Sequence, residues 1–182
     1  RNHKMAPRYR SMRGKRDLTQ GLLDLISYIN NIYPTKSLRL LEIGAYVGES
    51  TSIFCQHFES VTTIDPHLEF NRKFANNLEI YHAFCFRMKP HTNYTLIRKT
   101  SDAAFEELAD QQFDVVYIDG NHDYDYVKKD ILNYQKLVKP NGFITGHDYN
   151  NGHVGVEKAV DEYLGKPQMI FRDASWLIRK AV

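Results

Sequence analysis

Apolar residues along the chain follow two spacings, one typical of helices and one typical of buried strands. Helical spacing relates Leu18, Leu22, Leu25, Ile26 and Ile29, and Pro34 ends that segment. A short apolar run over 38–43 follows and closes at Gly44. The alternation then continues, with strands predicted over 61–64, 94–97, 113–118 and 143–147 and helices predicted at about 48–57, within 68–88, and over 102–109, 124–138 and 154–164. Such a chain predicts a parallel sheet with helices on both faces.

The last two predicted strands break this alternation. Residues 168–172 and 176–180 are separated only by Asp173-Ala174-Ser175, and three residues cannot form a parallel crossover. The two strands must therefore form an antiparallel hairpin. The fold class predicted is α/β, a seven-stranded sheet with five parallel strands plus a C-terminal antiparallel hairpin.

Length and charge divide the chain into an arm and a body. The 182 residues, of which 42% are apolar, fit a single domain over 17–182, preceded by a basic N-terminal arm over 1–16. The arm holds seven basic residues and no acid, whereas the body holds 17 basic and 22 acidic residues, a net charge of −5. The arm is either solvated or in contact with an anionic substrate or partner. The acidic body argues against a broad nucleic-acid surface.

Two further features bear on the compartment. No stretch approaches 18 consecutive apolar residues, so we expect no membrane span. Cys55 and Cys85 are too few for a disulfide framework, and both lie among apolar residues. We therefore expect a cytoplasmic protein with free thiols.

A glycine turn follows the first predicted strand. In open α/β sheets ligands bind beyond the carboxyl ends of the strands, where Gly44 allows close approach of a ligand and Gly48 allows tight helix packing. The dinucleotide fingerprint requires glycine where Tyr46 stands, and the phosphate-binding loop requires a longer spacer and a lysine. Asp65 ends the second strand 21 residues after Gly44, where a carboxylate binds ribose hydroxyls in nucleotide-binding sheets. The alternative for Asp65 is a solvated turn before Pro66.

Several of these motifs occur in an order that resembles one family. They are Glu42-Ile-Gly-x-x-x-Gly-x-Ser50, the acid after the second strand, the segment Phe113-Asp-Val-Val-Tyr-Ile-Asp-Gly120, and the terminal hairpin. The chain resembles class I S-adenosylmethionine (SAM)-dependent methyltransferases over about residues 38–180, which implies a Rossmann-like sheet. The segments Ile118–Tyr124 and Gly146–Tyr149 further resemble metal-dependent small-molecule O-methyltransferases of the sugar and macrolide type.

The resemblance implies specific cofactor contacts. Asp65 would hold the ribose of SAM, and Ser101 and Asp102 would lie at the adenine edge. For Ser101, a helix N-cap is the structural alternative, and Asp102 would also suit a first helical turn. The residues expected around the methionine part are Glu42, Gly44, Tyr46, Gly48 and Ser50.

Two acids at neighbouring strand ends indicate a metal site. Asp119 and Asp148 follow the fourth and fifth strands, and a divalent cation would relieve their repulsion. The resemblance implies Mg²⁺ here, although many relatives carry two consecutive acids where His147-Asp148 stands. A histidine ligand at 147 also admits Mn²⁺, Fe²⁺ or Zn²⁺, while a hydrogen-bonded, non-ligating His147 is equally open. His122 lies three residues beyond Asp119, and the resemblance implies that it is the catalytic base.

The leading hypothesis is metal-assisted O-methylation of a small hydroxylated acceptor, such as a sugar or secondary metabolite, with SAM and Mg²⁺ or Mn²⁺ as cofactors. The alternatives are methylation of RNA or protein through the basic arm, a catalytically silent cofactor-binding homologue, and a nicotinamide-dependent enzyme, which Tyr46 disfavours. A small, open active site is often completed by a partner subunit, so a homo-oligomer stays open.

Overall fold

The computed structural model describes residues 19–67 and 77–182, so the basic arm lies outside the described residues. Helix α1 covers 19–30, and strands and helices alternate after it. The strands are β1 (Arg39–Ile43), β2 (Ser60–Ile64), β3 (Tyr94–Ile97), β4 (Phe113–Ile118), β5 (Val138–Gly146), β6 (Met169–Ile170) and β7 (Trp176–Arg179). The further helices are α2 (Glu49–His57), α3 (Asn77–Met88), α4 (Ser101–Leu108), α5 (Tyr124–Tyr134) and α6 (Val154–Tyr163).

The strands form one seven-stranded sheet in the order β3-β2-β1-β4-β5-β7-β6. The first five strands are parallel, and β7 runs antiparallel to both β5 and β6. The predicted fold class, with its reversed strand from a C-terminal hairpin, is confirmed. Strands β4 and β5 are neighbours, as the metal-site prediction requires.

Both faces of the sheet are covered, which explains why the parallel strands read as apolar runs. On one face α4, α5 and α6 pack around a cluster that includes Val116, Ile131 and Trp176. On the other face α1, α2 and α3 pack around Leu25, Phe54 and their neighbours. Over the described ranges, no helix has the length and apolar character needed to cross a membrane.

The predicted helix over 124–138 is wrong at its end. Helix α5 stops at Tyr134, a 3₁₀ turn covers Gln135–Leu137, and Val138 already pairs with Phe113 as the first residue of β5. Pro140 cannot continue a helix, because its nitrogen has no proton to donate. The predicted turn at Asn141-Gly142 lies inside the longer strand, where Asn141 has φ +66° and the register with β4 shifts.

Gly44 allows the ends of β1 and β4 to lie in contact. Its φ is +94°, and a Cβ at this position would lie 2.0 Å from the carbonyl oxygen of Asp119. Gly152 has nearly the same backbone, with φ +98°, but a Cβ there would meet nothing within 4 Å. Comparing alanine substitutions at the two glycines therefore distinguishes the free-energy cost of the left-handed backbone from the cost of the clash.

We expect Gly44→Ala to destabilise the fold much more than Gly152→Ala. The left-handed backbone alone costs about 1–2 kcal/mol for alanine, and the clash with Asp119 adds roughly 1–3 kcal/mol. Urea unfolding followed by circular dichroism measures both variants against the wild type. Equal losses in the two variants would contradict the close approach of β1 and β4.

Candidate active site

Four backbone hydrogen bonds join the ends of the five parallel strands into one row. The residue that follows each strand donates its N–H to the carbonyl of the last residue of the adjacent strand. In sheet order the donors are Asp65, Gly44, Asp119 and His147, with N···O distances of 3.1, 2.8, 2.8 and 3.1 Å. Residues far apart in the chain are thus held side by side along the carboxyl edge of the sheet.

A cavity of about 590 Å³ opens at this edge. Seven of the residues predicted for the site line its wall: Gly44, Tyr46, Ser50, Asp65, Ser101, Asp119 and His122. The other five predicted residues are not part of the lining: Glu42, Gly48, Asp102, His147 and Asp148. Members of the cofactor, metal and base predictions therefore line one cavity.

Asp65 is fixed by the backbone on both sides of the cavity mouth. Its Oδ2 accepts a hydrogen bond from the N–H of Tyr46 at 2.7 Å, and its Oδ1 accepts one from the N–H of His67 at 2.7 Å. The His67 ring is buried, with Nε2 2.9 Å from the carbonyl oxygen of Tyr46. The glycine turn and the end of β2 are thereby locked together, and the Asp65 carboxylate faces the cavity in a set orientation.

Glu42 is fully buried beneath the glycine turn. Its carboxylate accepts hydrogen bonds from the hydroxyls of Ser50, Thr51 and Thr63. Burial raises the pKa of Glu42, and the three hydroxyl donors oppose that rise. Because Ser50 lines the cavity, Glu42 acts on the cavity through the orientation of that hydroxyl.

Helix α4 begins at the cavity wall, with Thr100 as its N-cap. The Thr100 hydroxyl accepts the N–H of Ala103 at 3.2 Å, so the capping role considered for Ser101 belongs to its neighbour. The Ser101 hydroxyl instead donates to Oδ1 of Asp130 on α5. Ser101 is therefore free of a capping role and lies on the wall with Asp130.

Asp102 and Asp130 have opposite environments at this corner. Asp102 is half-exposed and forms an ion pair with Lys129 outside the wall. Asp130 is only 6% exposed and lines the cavity. Burial raises the pKa of Asp130 to about 6, and the hydrogen bond from Ser101 opposes the rise.

Three of the predicted metal ligands form a compact group. Nδ1 of His147 lies 3.1 Å from Oδ1 of Asp148 and 3.7 Å from Oδ1 of Asp119. The other nitrogen, Nε2, is buried, has no hydrogen-bond partner among the described residues, and lies 3.8 Å from Oδ2 of Asp173. Ser175 donates its N–H to Oδ1 of Asp173 and its hydroxyl to Oδ2. His147 thus directs one nitrogen at the two carboxylates and the other at a third.

Burial and the short distances between these side chains shift the pKa values of Asp119, His147 and Asp148. Burial raises the pKa of Asp119 to about 7, although the neighbouring His147 opposes the rise. Burial alone would lower the pKa of His147, but the carboxylates of Asp119, Asp148 and Asp173 raise it to about 10. The pKa of Asp148 is depressed because hydrogen bonds from His122 and His147 outweigh its burial.

The donor set suits a divalent cation. One ligand atom from each of Asp119, His147 and Asp148 lies within 4.8 Å of the others. Histidines that bind metals usually donate their second ring N–H to a carboxylate, and the Asp173 carboxylate lies near the buried Nε2 of His147, although at 3.8 Å the two are not hydrogen-bonded. An imidazole beside two carboxylates fits Mn²⁺ or another transition metal at least as well as Mg²⁺.

His122 contacts the same group from the cavity side. Its Nε2 lies 2.6 Å from Oδ2 of Asp148, and the ring lines the cavity. The hydrogen bond to Asp148 raises the pKa of His122, and partial burial opposes the rise. His153, at the start of α6, completes a second group in which ligand atoms of His122, Asp148 and His153 also lie within 4.8 Å of one another.

The sequence analysis missed four polar residues at the site, namely His67, Asp130, His153 and Asp173. His67 follows Asp65 by two residues, and His153 follows Asp148 by five, so proximity to assigned residues was the available signal. Asp130 stands four residues after Tyr126 on α5, and Tyr126 itself lines the cavity with 53% of its surface exposed. Asp173 reaches the site only through the hairpin, and no local pattern indicates it.

A family profile described as a methyltransferase domain matches residues 41–149. These residues include the glycine turn, Asp65, Asp119 and the His147-Asp148 pair, and they make up more than half of the chain. The chain therefore belongs to this methyltransferase family. The resemblance found in the sequence is confirmed.

One curated relative is the uncharacterized protein y4gI of Sinorhizobium fredii, 27% identical over 129 residues. That match covers 64% of this chain and 14% of the relative, so the chain spans about one-seventh of the relative's length.

Solved structures share the fold at low sequence identity. CalS11, a TDP-rhamnose 3′-O-methyltransferase of calicheamicin biosynthesis, has a TM-score of 0.64 and 13% identity, with 87% of this chain and 78% of that chain covered. The N-methyltransferase NodS of Bradyrhizobium japonicum, bound to S-adenosylhomocysteine (SAH), has a TM-score of 0.62 and 16% identity over 91% and 85% of the two chains. A Bacillus cereus O-methyltransferase with SAH has a TM-score of 0.59 and 16% identity over 87% and 78%.

The buried carboxyl of Asp130 predicts a pH-dependent cost to stability. An unfolded aspartate loses its proton near pH 4, whereas Asp130 in the fold loses it near pH 6, so the unfolding free energy falls as the pH rises through this window. Asp130→Asn removes that cost. We expect the variant to gain stability over the wild type, by up to roughly 3 kcal/mol above about pH 6, with the gain vanishing below about pH 4.

Urea unfolding at about pH 5 and about pH 7.5 tests this expectation. Asp102→Asn is the matched control, because Asp102 is half-exposed and its surface ion pair is worth less than about 1 kcal/mol. A gain for Asp130→Asn that is the same at both pH values would show that the carboxyl is not titrating in this window.

Proposed function

We propose that the protein transfers the methyl group of SAM to a hydroxyl oxygen of a small acceptor, with the help of a divalent metal ion. One observation carries this proposal: the ribose-binding candidate Asp65 and the His122–Asp148 pair lie on or beside the wall of the same cavity. The relatives support the acceptor class, since CalS11 is named as a sugar O-methyltransferase.

Asp65 is the proposed anchor of the cofactor ribose. A carboxylate offers about four lone-pair sites, and two of those on Asp65 are used by the N–H groups of Tyr46 and His67. Two sites remain for the ribose hydroxyls. The methionine part would lie along Gly44, Tyr46 and Ser50, with Gly48 and Glu42 supporting the turn from behind.

The adenine edge would be formed by Ser101 with Asp130, a change from the predicted pair of Ser101 and Asp102. Asp102 points to Lys129 and away from the cavity, while Asp130 lies on the wall. In this arrangement Asp102 contributes only as an acid in the first turn of α4.

A metal held by Asp119, His147 and Asp148 would lower the pKa of an acceptor hydroxyl and fix its direction. His122 takes the hydroxyl proton, because its Nε2–H donates to Asp148 and leaves the Nδ1 lone pair available. The oxygen then forms a bond to the methyl carbon as the carbon–sulfur bond breaks, and SAH leaves as a neutral thioether. Alignment of the oxygen behind the methyl group is the main task of the protein.

Replacing Asp65 and His122 separates cofactor binding from methyl transfer. We expect Asp65→Ala to weaken SAH binding at least tenfold, since about 1.4 kcal/mol or more of ribose contact is lost. We expect His122→Ala to keep SAH affinity within about twofold of the wild type while turnover falls roughly 10²–10⁴-fold. Isothermal calorimetry with SAH measures the first effect, and label transfer from SAM measures the second.

Asp110→Ala, a change at an exposed position after α4, is the control for the calorimetry. If Asp65→Ala binds SAH as the wild type does, the ribose assignment is wrong. Full turnover of His122→Ala at saturating acceptor would remove the base assignment and leave the cofactor site standing.

A labelled-methyl screen tests the acceptor class and the metal together. Methyl-labelled SAM is incubated with the full chain and with nucleotide sugars, phenols, RNA or peptides. We expect label in the hydroxylated small molecules, abolished by a chelator and restored by Mg²⁺ or Mn²⁺. Label found only in RNA or peptide, and lost with residues 1–16 or at raised salt, would favour the alternative that uses the basic arm.

A further inference from the structure

Two histidines from different parts of the chain direct Nε2 atoms at one carboxylate. His122 lies in the turn after β4, Asp148 follows β5, and His153 immediately precedes α6. Nε2 of His122 is 2.6 Å from Oδ2 of Asp148, and Nε2 of His153 is 3.6 Å from Oδ1 of Asp148. The two imidazole rings lie 4.2 Å apart between centroids, so the three side chains enclose one small space.

The close approach of the two histidines depends on Gly155. A Cβ at Gly155 would lie 2.8 Å from the carbonyl oxygen of His122 and 2.7 Å from the backbone nitrogen of Tyr124. The first turn of α6 therefore rests directly on the backbone that carries His122. Any side chain at 155 would move the His153 end of α6 away from that turn.

The chemistry of this trio differs from that of the predicted metal group. Two imidazole nitrogens and one carboxylate oxygen form the three-ligand set of many zinc sites, in which the fourth position is open. Nitrogen donors favour Zn²⁺ and similar ions over Mg²⁺. His122 and His153 have 45% and 40% of their side chains exposed, so an ion can enter from solvent, whereas Asp148 is 7% exposed.

We propose that His122, Asp148 and His153 form a binding site for a transition-metal ion such as Zn²⁺, which shares Asp148 with the predicted metal group but uses neither Asp119 nor His147. The ion binds the His122 nitrogen that otherwise donates to Asp148, and it fixes that ring as a ligand. If the proposed function holds, on which this consequence rests, the bound ion inhibits methyl transfer, because an imidazole that coordinates the ion through Nε2 carries its proton on Nδ1 and can no longer accept a proton there.

Calorimetric titration of the metal-free full chain with Zn²⁺ and with Mg²⁺ tests the site. We expect the wild type to bind Zn²⁺ at least tenfold more tightly than Mg²⁺ at this trio. We expect His153→Gln to weaken Zn²⁺ binding at least tenfold, and His147→Gln, which alters the other group, to leave it within about twofold. His82→Gln, an exposed position on α3, is the matched control for removing a surface histidine.

Wild-type Zn²⁺ affinity in His153→Gln would overturn the proposal, and an equal loss in His153→Gln and His147→Gln would overturn the separation of the two groups. Circular dichroism and SAH affinity are measured for every variant, so a folding defect is recognised before the titration is interpreted. Failure of the wild type to bind SAH would refute the proposed function while leaving the Zn²⁺ result to stand independently. We expect Zn²⁺ to inhibit label transfer by the wild type. We expect His153→Gln to need at least tenfold more Zn²⁺ for the same inhibition.

Discussion

The backbone hydrogen bonds that continue past the strand ends set the geometry on which the site depends. The last carbonyl of each of β1 to β4 accepts the N–H of the residue that follows an adjacent parallel strand, so Asp65, Gly44, Asp119 and His147 form a row across the sheet. Backbone atoms alone make these bonds, and they need only the correct register. The residues proposed for cofactor binding, at one end of the row, and for acid–base chemistry, at the other end, are consequently held at fixed separations.

The residues at and around the row include several acids whose burial does not stabilise the fold. Burial raises the pKa values of Glu42, Asp119, Asp130 and Asp173, so each of them opposes folding at neutral pH to some degree. Hydroxyl donors offset part of that cost at Glu42 and Asp173, and histidines offset part of it at Asp119. Acids retained in spite of such a cost are typical of functional sites.

The sequence predicted the strands and their end residues well, because apolar runs and glycine turns are local signals. Asp65, Asp119 and Asp148 were found in this way, and the hairpin followed from the short connection at 173–175. The contacts that each side chain makes could be predicted less well from the sequence. Asp102 forms an ion pair with Lys129, and the Ser101 hydroxyl donates a hydrogen bond to Asp130. Both contacts join α4 to α5. The approach of His153 to His122 depends on the packing of α6 against the turn after β4, which no periodicity encodes.

Main-chain hydrogen bonds set the positions of the strand ends, whereas side chains supply the chemistry, and this has an evolutionary consequence. Because the row is made by main-chain atoms, a substitution at position 147 would exchange the imidazole nitrogen proposed as a ligand for an oxygen without moving the strands. Solved relatives with TM-scores of 0.59 to 0.64 keep the fold at only 13% to 16% identity. A lineage built on this frame can change the ion it recruits, or its acceptor, one residue at a time while its architecture stays the same.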